Sequence, residues 1–341
     1  MVSRRFLLAS LAASTVLARA PRIRAATAPV TIRAGWVVLP ADLLPMLPNV
    51  PELTKHLGKS YNLQPQHFAG TTPMITALAS GAIDTGSLAF SSMPFAIENA
   101  KLDDLRVIAD TFQDGVAGYH TNTYRVLKDS PIKKVEDLKG KVLATNTEGS
   151  AVDIAMRAML VKHGLNPRKD VSIVEAPFPA MRAMLQEGKA ALIPAVLPFS
   201  ADPKLESISR SLFTQKDAIG QTQMIIHTAR ESFLREHRAA MTDMLEDMLR
   251  VLAYFSNPAN HAKTIDIVAK ATKQPPANFE SWLFTHKDYY RSPEGLPNLK
   301  ALQANIDTQK KMGFLKTAIA VEKYSDLSLV KVAAKRIAGK V

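Results

Sequence analysis

The stretch that decides the fold is Phe68–Glu98, FAGTTPMITALASGAIDTGSLAFSSMPFAIE. A strand-like segment, Thr85–Ala89, lies between two short apolar patterns with helical spacing. Each apolar pattern follows a turn of small polar residues that ends in proline, Gly70–Pro73 in the first case and Phe90–Pro94 in the second. Because proline is tolerated in the first turn of a helix, each turn predicts a helix start.

Two such helix starts next to one strand have a possible chemical use. The side chain of Thr72 or Ser92 can cap its helix, and the free backbone N–H groups there carry partial positive charge. At one edge of a parallel sheet, the two helix ends would form a cradle for an anion without any catalytic group. Two ordinary capped helices in an α/β protein are the alternative interpretation of either turn.

The rest of the chain repeats the alternation of strands and helices. A third helix start follows a strand at Asn146–Ser150, where Ser150 and Asp153 have the spacing of a capping box. Strand patterns are predicted at 30–36, 63–68, 83–89, 105–109, 142–145, 171–175 and 191–196. Helical patterns are predicted at 74–80, after 150, from 177 to 188, from 231 onward, and at 262–271, 279–284 and 299–312. Extended segments near 118–126 and 221–227 are interpreted as crossings between two lobes.

Composition describes a globular chain. Of its 341 residues, 47% are hydrophobic and 22% are charged, and the net charge is +12. Five arginines lie in the first 26 residues, and without them 38 basic and 31 acidic residues leave a charge of +7. No dense Lys/Arg run interleaved with aromatic residues occurs, which argues against a nucleic-acid surface. A modestly basic body suits an anionic ligand, although a solvated basic surface is the commoner explanation.

The N-terminus has the pattern of an export signal. Ser3-Arg4-Arg5 precedes the apolar run Phe6–Ala18, which is too short to span a bilayer, since a spanning helix needs about 20 residues. Residues 1–26 therefore predict a twin-arginine-type signal, with cleavage between residues 19 and 29. The chain contains no cysteine, so a disulfide framework, a lipoprotein anchor and cysteine-based metal or nucleophile chemistry are excluded. We expect a soluble periplasmic protein.

Several motifs, taken in order, resemble one family. They are Phe68–Pro73 with Leu78–Gly86, Ser130-Pro131-Ile132 with Asp137–Lys141, Gly149-Ser150, and Ala183–Gly188 running to Pro198-Phe199. Over nearly all of the chain after the signal, the sequence resembles the periplasmic substrate-binding proteins of ABC importers for sulfonates, nitrate and taurine. That resemblance implies an α/β fold of the type II periplasmic-binding class. Its two lobes, 28–119 with 224–341 and 120–223, would be joined by two crossovers and close on a ligand in the cleft.

The resemblance also implies a set of ligand contacts. The family's contacts map onto Val38, Leu39, Thr71, Thr72, Ser91, Ser92, Gly149, Ser150, Leu197 and Phe199. Family members that bind taurine-like zwitterions often carry an acid where this chain has Leu197, so an ammonium partner is missing there unless Glu148 supplies it. We therefore expect a small organic anion, a sulfonate or carboxylate, whose apolar or aromatic tail packs on Trp36, Phe90, Leu197 and Phe199. Each of these hydrophobic residues could equally belong to the core.

Two other functions compete with the importer component. The eight histidines show no metal-binding pair, and no G-x-S-x-G elbow or Walker loop is present, so we expect neither enzyme activity nor a metal or cofactor. A thiamine-precursor pyrimidine synthase is known to share this fold, but its Cys/His iron site cannot be built without cysteine. A sensor that presents the ligand to a membrane receptor would have the same sequence features. The expected partners are the anion and a membrane permease, and the chain is expected to be a monomer.

Overall fold

The protein has alternating strands and helices in two α/β lobes. The computed structural model describes residues 28–339, so the predicted export signal at 1–26 lies outside the described residues. The strands are β1 (Val30–Trp36), β2 (Tyr61–His67), β3 (Thr85–Ala89), β4 (Leu105–Asp114), β5 (Thr123–Leu127), β6 (Val142–Thr145), β7 (Ser172–Glu175), β8 (Ile193–Ala195), β9 (Ser209–Thr214) and β10 (Thr222–Arg230). The helices are α1 (Thr71–Ala79), α2 (Ser92–Glu98), α3 (Ala151–Lys162), α4 (Met181–Gln186), α5 (Pro203–Ile208), α6 (Gln215–Ile219), α7 (Glu231–Phe255), α8 (His261–Thr272), α9 (Leu299–Lys311) and α10 (Ser328–Ile337).

The larger lobe is built on a five-stranded sheet with the order β2-β1-β3-β10-β4. The strands β1, β2 and β3 run parallel, and β10 pairs antiparallel with both β3 and β4. All five residues of β3 are buried, as expected for a central strand covered on both faces. The helices α1 and α2 start on either side of β3, so the stretch Phe68–Glu98 lies at the centre of this lobe.

The smaller lobe contains a three-stranded sheet, β8-β5-β9, and the parallel pair β6-β7. A bridge between Leu143 and Leu192 joins the two, because Leu192 leads directly into β8. The chain passes from β4 into this lobe through residues 115–122 and returns to β10 through residues 215–221. Where the two crossings meet, the Asn122 side chain donates to Gln215 Oε1 at 3.3 Å.

Some predicted elements are confirmed and others are wrong. The strands at 30–36 and 142–145 have the predicted bounds, and the other predicted strands occur with shifted ends. The predicted helix at 279–284 is wrong, because the chain forms successive turns there, and Phe284 has a positive φ of 53° that interrupts any helix. The elements α5, β9, α6 and α10 were not predicted.

One hydrophobic cluster runs through both lobes, and a smaller cluster lies beneath α4 and β8. The long helix α7, which is kinked at His237, contributes Met241, Leu245 and Leu252 to the larger cluster. Among residues 28–339, no helix combines the length and apolar character needed to cross a membrane.

Candidate functional site

A cavity of about 70 Å³ lies between the two lobes. It is several times the space that one water molecule needs. Both lobes contribute to its wall: the loop after β1, the central strand β3 and the first residue of α1 from the larger lobe, and the start of α3 with the segment after β8 from the smaller lobe. The lining residues are Val37, Val38, Ala41, Asp42, Thr71, Ser87, Ala89, Phe112, Asn146, Ser150, Ala151, Val152, Phe178, Val196, Leu197, Met224, Ile225 and Tyr289.

The wall is mostly apolar with a few polar groups, which is the usual character of a small-molecule site. Its polar members are Thr71, Ser87, Asn146 and Ser150, together with the carboxylate of Asp42 and the phenol of Tyr289. No lysine or arginine is among these described lining residues. A bound anion would therefore be held by hydrogen-bond donors and helix ends, without an ion pair to the wall.

The helix α1 presents its first turn to the cavity without a side-chain cap. Its N-cap residue is Gly70, and no side-chain oxygen accepts from the first N–H groups. The predicted caps at Thr72 and Ser92 are wrong, because both hydroxyls have other partners. Ser92 Oγ and Thr71 Oγ1 are hydrogen-bonded to each other at 2.6 Å, and Thr72 Oγ1 donates to the Glu148 carbonyl at 3.1 Å. The N–H groups of Thr71 and Thr72 have no acceptor among the described residues and are free for a ligand.

The helix α3 presents its first turn from the opposite side. Ser150 is the N-cap residue, and its Oγ accepts from the Asp153 N–H at 3.4 Å, as predicted. The reciprocal bond of a capping box is absent here, because Asp153 Oδ2 accepts instead from the Gly149 N–H at 2.9 Å and from Arg157 at 2.8 Å. Burial raises the pKa of Asp153, and the neighbouring Arg157 partly offsets this rise. The N–H groups of Ala151 and Val152 keep no acceptor within residues 28–339, and both residues line the cavity.

A seam of direct contacts closes one side of the cavity. Ser91 Oγ donates to the Gly149 carbonyl at 2.8 Å, and both groups are buried. Gly70 faces Thr147 so closely that a Cβ on Gly70 would lie 2.4 Å from Thr147 Oγ1. Gly149 has a φ of +74°, and a Cβ there would lie 2.9 Å from the Phe95 ring. Both glycines are therefore required by close approach of the two lobes in this closed arrangement.

The structure brings together only part of the predicted contact set. Four predicted contact residues, Val38, Thr71, Ser150 and Leu197, line the cavity. Three others, Thr72, Ser91 and Gly149, lie in the seam, and Glu148 lies beside it with its side chain 3.5 Å from Arg157. The remaining positions lie behind or beside the wall: Leu39 packs partly buried against the core, Ser92 bonds Thr71, Phe90 is fully buried, Trp36 packs on His67, and Phe199 stacks on Phe178.

Sequence reasoning missed the aromatic part of the wall. Phe112 and Tyr289 stack with ring centroids 4.3 Å apart, and Tyr289 donates from its hydroxyl to Asn122 Oδ1 at 2.5 Å and accepts from the Leu197 N–H at 3.2 Å. This phenol thus ties the larger lobe to a crossing and to the segment after β8. Near the same crossing, burial raises the pKa of Asp114 to about 7, while hydrogen bonds from Thr121 and Asn122 oppose the rise.

Two polar groups of the larger lobe were missed as well. Ser87 faces His227 across β3 and β10, and Ser87 Oγ lies 3.1 Å from His227 Nδ1. Burial lowers the pKa of His227, and the charge of Asp42 partly offsets this. Asp42 is 3% exposed, and its Oδ1 accepts from the Leu44 N–H at 3.1 Å. An Asp in an irregular loop has no periodicity that would mark it as a site residue.

A cluster outside the cavity has the composition of a metal site. His56, Asp243 and Glu246 bring their ligand atoms within 4.8 Å of one another. Arg336 Nη1 already lies 2.8 Å from Asp243 and 3.3 Å from Glu246. The guanidinium supplies the positive charge that a metal ion would bring, so the cluster is an ion-pair network between α7 and α10 and the 51–60 segment.

Comparison with known proteins identifies the family. A model of the NMT1-like family matches residues 41–269. The chain belongs to the NMT1-like family. A separate comparison with curated proteins gives no match. Solved structures of a sulfonate-binding and a nitrate-binding protein share its fold, as the resemblance predicted.

Three solved structures show how widely this fold is used. The alkanesulfonate-binding protein SsuA from Xanthomonas axonopodis pv. citri bound to MOPS has a TM-score of 0.68 and 19% identity, over 89% of this chain and 100% of that chain. The periplasmic nitrate-binding protein NrtA from Synechocystis PCC 6803 has a TM-score of 0.68 and 15% identity, over 91% and 89% of the two chains. The desulfurization enzyme DSZB has a TM-score of 0.64 and 11% identity, over 90% and 99%. The predicted periplasmic-binding fold is confirmed, and this NMT1-like chain shares it with binding proteins and with an enzyme.

Proposed function

We propose that the protein is the periplasmic solute-binding component of an ABC importer. It captures a small organic anion, a sulfonate or carboxylate with an apolar body, and delivers it to a membrane permease. The lobes that close on the solute are residues 28–119 with 224–341 and residues 120–223. The protein works as a monomer in the periplasm after export, and it needs no cofactor or metal.

The observation that carries the proposal is the cavity at the interface of the lobes, with a free helix start on each side. The N–H groups of Thr71 on α1 and of Ala151 and Val152 on α3 have no acceptor among residues 28–339 and belong to residues that line this space. Free N–H groups at helix starts favour an anionic head group. Because the two helices belong to different lobes, an anion that bonds both would favour the closed state.

The apolar wall supports a solute with an apolar body. Phe112, Tyr289 and Met224 stand where the body would pack, in place of Trp36 and Phe90, which do not line the cavity. Two solved structures of the same fold support the anionic head group of the proposed solute. The SsuA relative was solved with MOPS, a sulfonate on a propyl chain and a morpholine ring, and the NrtA relative binds nitrate. Nitrate alone would leave the apolar wall unfilled.

Titration calorimetry tests the proposal with a panel of aromatic carboxylates, alkanesulfonates, taurine and nitrate. We expect a carboxylate or sulfonate with an apolar body to bind most tightly, because it satisfies the helix starts and fills the apolar wall. Binding of nitrate at equal or greater affinity, or tight binding of taurine, would contradict the apolar body. A complete absence of binding across the panel would contradict the anionic head group.

An enzyme is the second candidate, and one observation favours it. Ser87 Oγ and His227 Nδ1 form a hydroxyl–imidazole pair at the cavity wall, and the desulfurization enzyme DSZB has the same fold. The pair also has a structural explanation, because Ser87 and His227 are direct cross-strand neighbours. Proton NMR of a bound panel member after prolonged incubation separates the two candidates: an unchanged spectrum supports the binding protein, and new signals that disappear in His227→Gln support the enzyme.

A further inference from the structure

The wall of the cavity contains a carboxylate oxygen without a partner. Asp42 is 3% exposed and lines the cavity, and its two oxygens have different surroundings. Oδ1 accepts from the Leu44 N–H at 3.1 Å, where the chain enters a short 3-10 helix. Oδ2 is buried and has no hydrogen-bond partner among the described residues. Oδ1 therefore stabilises the local turn, and Oδ2 is available to a donor on a ligand in the cavity.

No basic side chain among residues 28–339 forms an ion pair with Asp42, and none donates a hydrogen bond to its Oδ2. Arg291 donates to the carbonyl of the preceding residue, Ala41, at 3.5 Å, but its ion pair is with Asp288 at 2.9 Å. Burial lowers the pKa of His227, which disfavours a positive charge on the imidazole that interacts with Asp42. A buried charge without a partner is costly, so proteins rarely keep one unless a ligand completes it.

A second polar group that lines the same cavity, Ser87, can accept from the same kind of donor. Ser87 is 2% exposed and lines the cavity, and it is hydrogen-bonded to His227, with which Asp42 interacts electrostatically. When the Ser87 hydroxyl donates to His227 Nδ1, its lone pairs remain available to a donor in the cavity. A protonated amine carries several N–H donors and a positive charge, and it matches a carboxylate beside a hydroxyl better than a neutral donor does.

We infer that Asp42 is a specificity-determining residue, whose Oδ2 accepts a hydrogen bond from a protonated amine on the solute. This inference rests on the proposed function, because it assumes that a solute enters the cavity. Asp42 would be the partner for the ammonium group of the solute, a role that Leu197 cannot fill. The solute would then be a zwitterion, with its acid at the helix starts of α1 and α3 and its amine at Asp42.

Matched ligands that differ at one group test the inference. The series is ethanesulfonate, isethionate and taurine, which carry hydrogen, hydroxyl and ammonium at the same carbon, with 4-methylbenzoate against 4-(aminomethyl)benzoate as an aromatic pair. In calorimetry we expect the amine of a series to bind about 10- to 100-fold more tightly than its partners. Asp42→Asn should remove that advantage. Equal binding within each series, or an amine advantage that survives in Asp42→Asn, would overturn the inference.

A second measurement needs no ligand. Asp42→Asn keeps an oxygen for the Leu44 N–H and removes the unpaired charge, so the ligand-free protein should have a higher Tm, by about 2 °C or more. Asp247→Asn is the matched control. Asp247 is fully buried but accepts from the N–H groups of Lys55, His56 and Leu57 and from the Tyr61 hydroxyl, so the same change there should lower the Tm.

The two measurements separate this inference from the proposed function. If taurine binds tightly through Asp42, the inference stands and the apolar body of the proposed solute is wrong. If no panel member binds, the failure counts against the proposed anion, and the Tm decides the inference. A rise in Asp42→Asn then supports it, and an unchanged or lower Tm overturns it.

Discussion

The cavity wall and the seam beside it are both built where the two lobes meet, yet their chemistry differs. On the wall, the N–H groups of Thr71 and Val152 and the Asp42 Oδ2 have no partner in the described part of the chain. In the seam, the hydroxyls of Ser91 and Thr72 are bonded across the lobes to carbonyl oxygens. The bonded hydroxyls of the seam hold the lobes together, whereas the unpartnered groups of the wall are available to a solute. Three substitutions test this division.

The largest effect is expected from filling the cavity. Val38 is half-buried in the loop after β1 and lines the cavity, so Val38→Trp should occupy the space that the solute needs. We expect affinity for the best panel ligand to fall more than about 100-fold, with the Tm of the ligand-free protein within a few degrees of wild type. Thr72→Val, which removes a hydroxyl of the exposed part of the seam, is the control and should change affinity much less. Equal losses in both variants would contradict the division.

A smaller effect is expected from obstructing the seam. Gly70 has an extended backbone that alanine can adopt, but the added Cβ would meet Thr147 Oγ1 at 2.4 Å and Cγ2 at 2.9 Å. Because overpacking costs about 1–3 kcal/mol, Gly70→Ala should weaken ligand binding by roughly 10- to 100-fold through incomplete closure. Thr147→Ala removes these two atoms and leaves Asn146 Nδ2, at 3.1 Å, as the nearest contact, so the double variant should recover most of the affinity. If calorimetry shows no recovery, the clash across the seam is not the cause.

The smallest effect is expected from a single hydrogen bond across the seam. Ser91→Ala removes the bond to the Gly149 carbonyl, which is worth about 1 kcal/mol, so affinity should fall about 5-fold. The loss should appear mainly as faster dissociation in stopped-flow measurements, because closure traps the solute. Ser92→Ala is the paired control, since its bond to Thr71 lies within one lobe. A dissociation rate that rises in Ser92→Ala but not in Ser91→Ala would reverse the assigned roles.

Local patterns predicted much of the fold. The strand Thr85–Ala89 and the helices on either side of it follow from apolar spacing and turn chemistry within a few residues, as does the Ser150 cap. The predicted caps at Thr72 and Ser92 were wrong because long-range partners took their hydroxyls. Ser92 bonds a residue 21 positions away, and Thr72 bonds one 76 positions away.

The site was predicted less completely than the fold. Tyr289 reaches the cavity through a bond to Asn122, 167 positions away, and no local pattern in its segment marks that pairing. Asp42 lies in an irregular loop. Its Oδ2 is unpartnered because no donor from the described residues reaches it, and this cannot be read from the local sequence. A sequence shows which groups can form hydrogen bonds, but only the folded chain shows which of them remain unsatisfied.

Native mass spectrometry shows directly whether a small solute occupies the space between the lobes. Wild type and Val38→Trp would be purified side by side without denaturation. We expect wild type to carry a bound small molecule that is released on unfolding. Val38→Trp should have a similar Tm and carry no such molecule. An empty wild type, or the same bound mass in both proteins, would contradict the claim.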